Sequence, residues 1–107
     1  MKIIISPVLL ESRLREVCPS GVARSVTGPG RSGAVASAVA SYILRIPFIP
    51  YGAKCPPSLR PILIVDTARQ SGRTIRKALK KYAPGGAICA IAFNEPPRVH
   101  FWYEFPA

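Results

Sequence analysis

Acidic residues are scarce in this chain. There are five among 107 residues, against fifteen lysines and arginines, and Asp66 is the single aspartate. The formal net charge of +10 says nothing about fold, but it predicts attraction to phosphates, nucleotides or nucleic acid. A basic surface kept for solubility accounts for the same count, so charge alone does not choose between them. Cysteines number three, Cys18, Cys55 and Cys89, with no CxxC pair. Neither a disulfide framework nor a zinc site follows, and a reduced, intracellular setting is the simplest reading. Cys18 and Cys89 are expected to be buried and Cys55 to lie in a loop. Long apolar runs are also missing. The opening stretch MKIIISPVLLESRLREV is interrupted by Ser6, Pro7 and Glu11, too soon for a membrane span and without a clear cleavage site. The expectation is a cytoplasmic protein with no membrane partner. There is no internal repeat and no long linker, so residues 1–107 are read as one domain.

What the chain does contain is a run of alternating elements. KIII over residues 2–5 is a β-branched strand candidate. Ser6 and Pro7 suit the cap and first position of a helix carrying Val8, Leu9, Leu10, Leu14 and Val17 as an apolar stripe. Pro19-Ser20-Gly21 ends it. A strand is predicted over Gly21–Val26, then the glycine-rich loop TGPGRSG, then a small-residue helix over 33–45 that packs closely on a sheet. Phe48–Tyr51 reads as a short strand or extended link, and residues 51–61 as a loop broken by Pro56-Pro57. Ile62–Val65 is an unbroken apolar run, as in a buried parallel strand. Ile75, Ala78, Leu79 and Tyr82 fall at helical spacing, with Arg73, Arg76, Lys77, Lys80 and Lys81 on the other face. Ala87–Phe93 and Arg98–Phe105 complete the strands. The alternation predicts an α/β fold: three layers around a small, mostly parallel sheet.

The segment ILIVDTARQSGRT, residues 62–74, concentrates the chemistry. An apolar strand delivers Asp66 to the carboxyl edge of the sheet, where open α/β folds bind ligands. Ser71-Gly72-Arg73-Thr74 then opens a helix whose outward amides and dipole favour an anion. Gly72 permits close backbone approach, Ser71 and Thr74 add hydroxyls, and Arg69 and Arg73 add charge. Plain capping of the turn by Asp66 and of the helix by Ser71 uses the same groups.

This segment resembles the PRPP-binding signature of the type I phosphoribosyltransferases: a hydrophobic strand, two acids, a short variable stretch, then Thr-Gly-x-Thr. Here Asp66 is the first acid, Thr67 stands at the second, and Ser71-Gly72-Arg73-Thr74 matches the phosphate loop. Upstream, the strand, glycine loop and small-residue helix resemble the pyrophosphate-binding element, with Arg31-Ser32-Gly33 at its tip. The resemblance covers residues 21–105 and implies a type I phosphoribosyltransferase-like core. It implies displacement of pyrophosphate from PRPP by a nitrogen nucleophile, with Mg2+ carried by the substrate. Asp66 and Thr67 would meet the ribose. Arg69, Gln70, Ser71, Gly72, Arg73 and Thr74 would hold the 5′-phosphate, and Arg31, Ser32 and Gly33 the pyrophosphate.

The departures are specific. The second acid is absent, residues 68–70 hold no carboxylate to serve as a base, and the nucleobase-covering hood is missing or reduced to residues 51–60. No residue is singled out as catalytic. Lys54 is a candidate for the flexible loop's cation, with a solvated loop lysine as its simpler reading. Three functions stay open: a minimal phosphoribosyltransferase, a non-catalytic binder of a phosphorylated ribose or nucleotide, and a nucleic-acid-binding protein. For the last, the basic face over 73–81 lacks interleaved aromatics in sequence, so a solvated face is preferred. In the run RVHFWYEF, an exposed aromatic edge would mark a homodimer contact, Trp102 is a candidate for stacking on a nucleobase, and His100 is read as a strand residue.

Overall fold

The computed structural model describes residues 3–68, 72–93 and 99–104. Strand β1 (Ile3–Ile5) leads into helix α1 (Pro7–Val17). Ser6 caps α1 by accepting from the Leu9 amide at 3.2 Å, and Pro7 opens it, where a missing N–H costs nothing. Leu10 and Leu14 are buried, whereas Val8 and Leu9 face outward. The expected apolar stripe is therefore narrower than the sequence suggests.

Strand β2 is confined to Ser25–Thr27, shorter than the predicted 21–26, because the chain is still turning at Gly21, where φ is +74°. Helix α2 spans Gly30–Leu44. It begins three residues earlier than predicted, so Arg31, Ser32 and Gly33 form its first turn rather than a loop tip. Its buried face is Gly33, Ala36, Ser37 and Ala40, and these small residues bring the helix close to the sheet. Of the two readings for 48–51, the extended link holds: a single bridge joins Phe48 to Val26, with the Ile49 amide donating to the Val26 carbonyl at 2.8 Å. Pro47 and Pro50 flank it without an N–H to extend the ladder.

Strand β3 (Ile62–Ala68), helix α3 (Arg73–Tyr82) and strand β4 (Ala87–Phe93) follow. The central sheet runs β2-β3-β4, all parallel, with Thr27 beside Ile64 and Asp66 beside Ile91. Leu63 and Val65 pack with α1 and α2 on one face; Ile62 and Ile64 pack with Ile75, Ala78 and Tyr82 of α3 on the other. The result is the three-layer α/β arrangement expected. Cys18 and Cys55 are buried, but Cys89, on the outer strand β4, is exposed rather than buried as predicted.

The last strand is short. Strand β5 (Val99–Phe101) pairs in parallel with β1, and residues Trp102–Glu104 turn into a 3-10 helix. The two ends of the described chain thus form a second, two-stranded sheet. Phe101 is buried, and Trp102 and Tyr103 pack against the α1–α2 core. Of the aromatic run, Phe101–Tyr103 pack inward rather than forming an exposed edge; Ile4, Val8 and Leu9 are among the apolar residues left outside. No helix among the described residues is long and apolar enough to cross a membrane.

Candidate functional site

Two glycines bring the site together. A methyl group built at Gly28 would lie 2.5 Å from the Val65 carbonyl oxygen and closer still to that of Gly33. One built at Gly33 would lie 2.5 Å from the Gly28 carbonyl carbon and 2.9 Å from the Pro29 ring. Backbone meets backbone here, so only glycine fits. The consequence is positional: Gly28, in the turn before α2, lies against β3 one residue before Asp66, and the first turn of α2 closes onto Gly28. Arg31, Ser32 and Gly33 are thereby gathered at the carboxyl edge with Asp66 and Thr67.

At that edge Asp66 is partly exposed, while Thr67 is 2% exposed. The Thr67 amide donates to Asp66 Oδ1 at 2.8 Å, and the Thr67 side chain also hydrogen-bonds the carboxylate. Burial nevertheless dominates: it raises the Asp66 carboxyl above the usual carboxylate range, against the opposing pull of the two Thr67 hydrogen bonds. On the neighbouring strand, Thr27 lies level with Ile64. Alternation along β3 therefore puts Thr27 on the same sheet face as Asp66. Its Oγ1 is buried with no hydrogen-bond partner among the described residues. Such an atom in a native fold calls for a water, ion or ligand group. Sequence reading missed Thr27; its place directly before a glycine loop at a strand end is the signal that would have found it.

Helix α3 begins at the same edge. Gly72, buried and at φ +80°, stands at its cap, and Arg73 and Thr74 occupy the exposed first turn. The first-turn amides of α2 and α3 both point out of helix ends, where the dipole favours negative charge. Arg69, Gln70 and Ser71 lie outside the described residues.

The third contribution comes from the end of the chain. Tyr103 donates its hydroxyl to Ser32 Oγ at 2.8 Å, and the Arg31 guanidinium donates to the Tyr103 carbonyl at 3.3 Å while sitting 5.8 Å from its ring centre. The β1–β5 sheet is thereby held beside the first turn of α2. Residues 51–60, the segment to which a hood would be reduced, fold against the α3 side. No group of three or more His, Cys, Asp or Glu side chains capable of holding a metal occurs among the described residues.

This architecture is shared with purine phosphoribosyltransferases. A xanthine-guanine-hypoxanthine phosphoribosyltransferase from Helicobacter pylori superposes with a TM-score of 0.72 at 15% identity, over 97% of this chain and 93% of that one. A hypothetical protein from Neisseria gonorrhoeae with bound ppGpp gives 0.70 at 13% identity, over 98% and 91%. A purine phosphoribosyltransferase from Pyrococcus horikoshii gives 0.64 at 18% identity, over 99% and 96%. No protein-family profile matches the chain, and no curated protein matches it in sequence.

Proposed function

We propose that the chain binds a ligand built on ribose 5-phosphate, PRPP or a nucleotide, at the carboxyl edge of β2 and β3. The observation that carries this reading is the Gly28–Gly33–Val65 approach. It sets an amide-rich helix start beside the strand that carries Asp66, as a ligand with charge at one end and hydroxyls at the other requires. Asp66 accepts hydrogen bonds from the ribose hydroxyls, its carboxylate aimed by Thr67. The first turn of α2, with Arg31, Ser32 and Gly33, takes the pyrophosphate. Gly72, Arg73 and Thr74, together with Arg69, Gln70 and Ser71, take the 5′-phosphate. The Thr27 hydroxyl gives the same ligand, or a water beside it, a partner. The fold shared with the Helicobacter and Pyrococcus enzymes supports the same ligand class.

Magnesium fits this donor set as a companion of the ligand. Mg2+ keeps several waters and needs one or two carboxylates besides phosphate oxygens, and Asp66 is the carboxylate that would face it. When bound, the ion would neutralise phosphate charge. The residues of this chain bind, orient and shield. Tyr103, bonded to Arg31 and Ser32 of the first turn of α2 and with Trp102 packed edge-on to it, would limit water at the anomeric carbon and offer ring surface to a nucleobase. With such a base in place, transfer of the phosphoribosyl group releases pyrophosphate, and positive charge at Arg31 stabilises the leaving group.

Calorimetry tests binding, with PRPP, ribose 5-phosphate and pyrophosphate as probes and magnesium present. PRPP binding that is lost in Asp66→Ala supports the site, and absence of binding by all three overturns it. Pyrophosphate release from PRPP across a panel of nucleobases then separates turnover from binding. The buried Thr67 at the position of the second acid favours binding without turnover as the second reading, for which release stays at the no-base background.

A further inference from the structure

Among the described residues, cations gather along α3. Between Glu16 and Glu95 Asp66 is the only acid, and it lies at the carboxyl edge. On the α1 side, Glu11 and Glu16 pair with Arg15 and Arg13 at 3.9 and 3.7 Å. On the α3 side, Arg73, Arg76, Lys77 and Lys80 line a shallow groove with Leu79. Successive members of such a helical stripe stand about 5–6 Å apart, and Arg73 to Lys81 spans about 12 Å. Where α3 ends the stripe runs into a cleft of about 340 Å³ with Lys54, Arg60 and Lys81 in its walls. That cleft lies at the opposite end of β3 from Asp66, since Ile62 and Pro84 line it.

An aromatic ring stands at the junction, contributed from outside the helix. Tyr51 is 38% exposed, and Lys81 Nζ lies 6.0 Å from its ring centre. The ring is pre-set. It packs edge-on to buried Tyr82 with centroids 5.9 Å apart. Tyr82 in turn fixes the following turn, its hydroxyl accepting from the Gly52 amide at 2.9 Å and donating to the Ala53 carbonyl at 3.1 Å. Arg60 is held likewise, its Nε donating to the Cys55 carbonyl at 3.1 Å and its side chain lying over Gly85. A basic track beside a fixed, accessible aromatic face is the arrangement that binds single strands: charge follows the backbone, and a base stacks on the ring. In sequence the basic helix has no aromatic among its charges; folding supplies one.

We infer that Lys77 and Lys80 of α3, Tyr51 and the Lys54–Arg60–Lys81 cleft form a single-stranded nucleic-acid site, separate from the ribose-phosphate site to which Arg73 is assigned. It goes beyond the function proposed above and does not depend on it. The test is fluorescence anisotropy on the full chain with short labelled single-stranded RNA and DNA, titrated with salt. Binding weakens steeply as salt rises. Removing two phosphate contacts with Lys77→Gln and Lys80→Gln lowers the logarithmic salt slope by about 1.4 and weakens binding most at low salt. Tyr51→Ala loses about 5- to 150-fold, the range for one stacked base, whereas Tyr51→Phe keeps affinity. Thermal melts confirm that the variants are folded. Comparison of the RNA, DNA and duplex arms identifies the partner. The inference is overturned by any of three results: no binding at low salt, a duplex bound as well as a single strand with Tyr51→Ala unaffected, or an oligonucleotide that PRPP displaces while the Lys77 and Lys80 changes leave it untouched. The last result would place the strand at the carboxyl edge and leave the ribose-phosphate reading standing.

Discussion

Replacing Gly28 by alanine adds one carbon at the point where three backbone segments meet. That carbon would stand 2.5 Å from the Val65 carbonyl oxygen and closer to the Gly33 carbonyl, well inside the roughly 3.5–4.0 Å of an ordinary carbon contact. Neither neighbour is a side chain that can rotate away, so the start of α2 must move off β3. Forced overpacking of this kind costs about 1–3 kcal/mol, occasionally more, and the upper end applies because only backbone can yield. Taking about 2.1 cal/mol/K per residue for the unfolding entropy, a loss of 3 kcal/mol lowers the midpoint by about 13 °C. Thermal denaturation followed by circular dichroism reads this directly. Gly30→Ala is the matched comparison. Nothing lies within 4 Å of its added carbon, but its φ of +68° imposes a left-handed cost of about 1–2 kcal/mol. The two variants separate in function: displacement of α2 in Gly28→Ala weakens pyrophosphate binding at the carboxyl edge, whereas Gly30→Ala keeps the close approach. A Gly28→Ala protein with a midpoint within about 2 °C of the parent, corresponding to under half a kcal/mol, would refute the close approach and the site built on it.

Two further outcomes follow from burial. Because burial lifts the Asp66 carboxyl above its ordinary range, the folded state holds that proton more tightly than the unfolded state. Stability then falls as pH rises from the ordinary carboxylate value through the raised one. Asp66→Asn removes the half-buried charge, so it should raise the unfolding midpoint near neutral pH, converge with the parent in acid, and abolish ribose-phosphate binding; a destabilisation that is the same at every pH would contradict the assignment. The three thiols should separate in a labelling time course. Cys89 is exposed, Cys55 is buried, and burial pushes the Cys18 thiol up to about 11, so with the thiolate as the nucleophile Cys89 labels first and Cys18 only on unfolding. Rapid labelling of Cys18 in the native protein, mapped by mass spectrometry, would show that the α1–α2 core is not packed as described.

The sequence by itself determined the elements whose signals are local. The 3.6-residue spacing of Ile75, Ala78 and Tyr82 marked α3 to the residue. The cap at Ser6 and Pro7 marked the start of α1, and the apolar run from Ile62 marked the strand that delivers Asp66. These signals depend on neighbours a few positions away, which periodicity and capping chemistry report directly. The resemblance to the phosphoribosyltransferases was carried by the same local pattern, and the three-layer fold bore it out.

Tertiary structure decided what depends on distant partners. Gly28 is glycine because of Val65, and Ser32 meets Tyr103 across 71 positions. Strands β1 and β5 pair from opposite ends of the described chain, and Tyr51 reaches the basic helix through Tyr82 and Lys81. Cys89 is exposed because its strand is the outer one, a position in the sheet that no local pattern states. Burial and close approach are properties of pairs brought together by packing, and a linear reading sees only one member of each pair at a time.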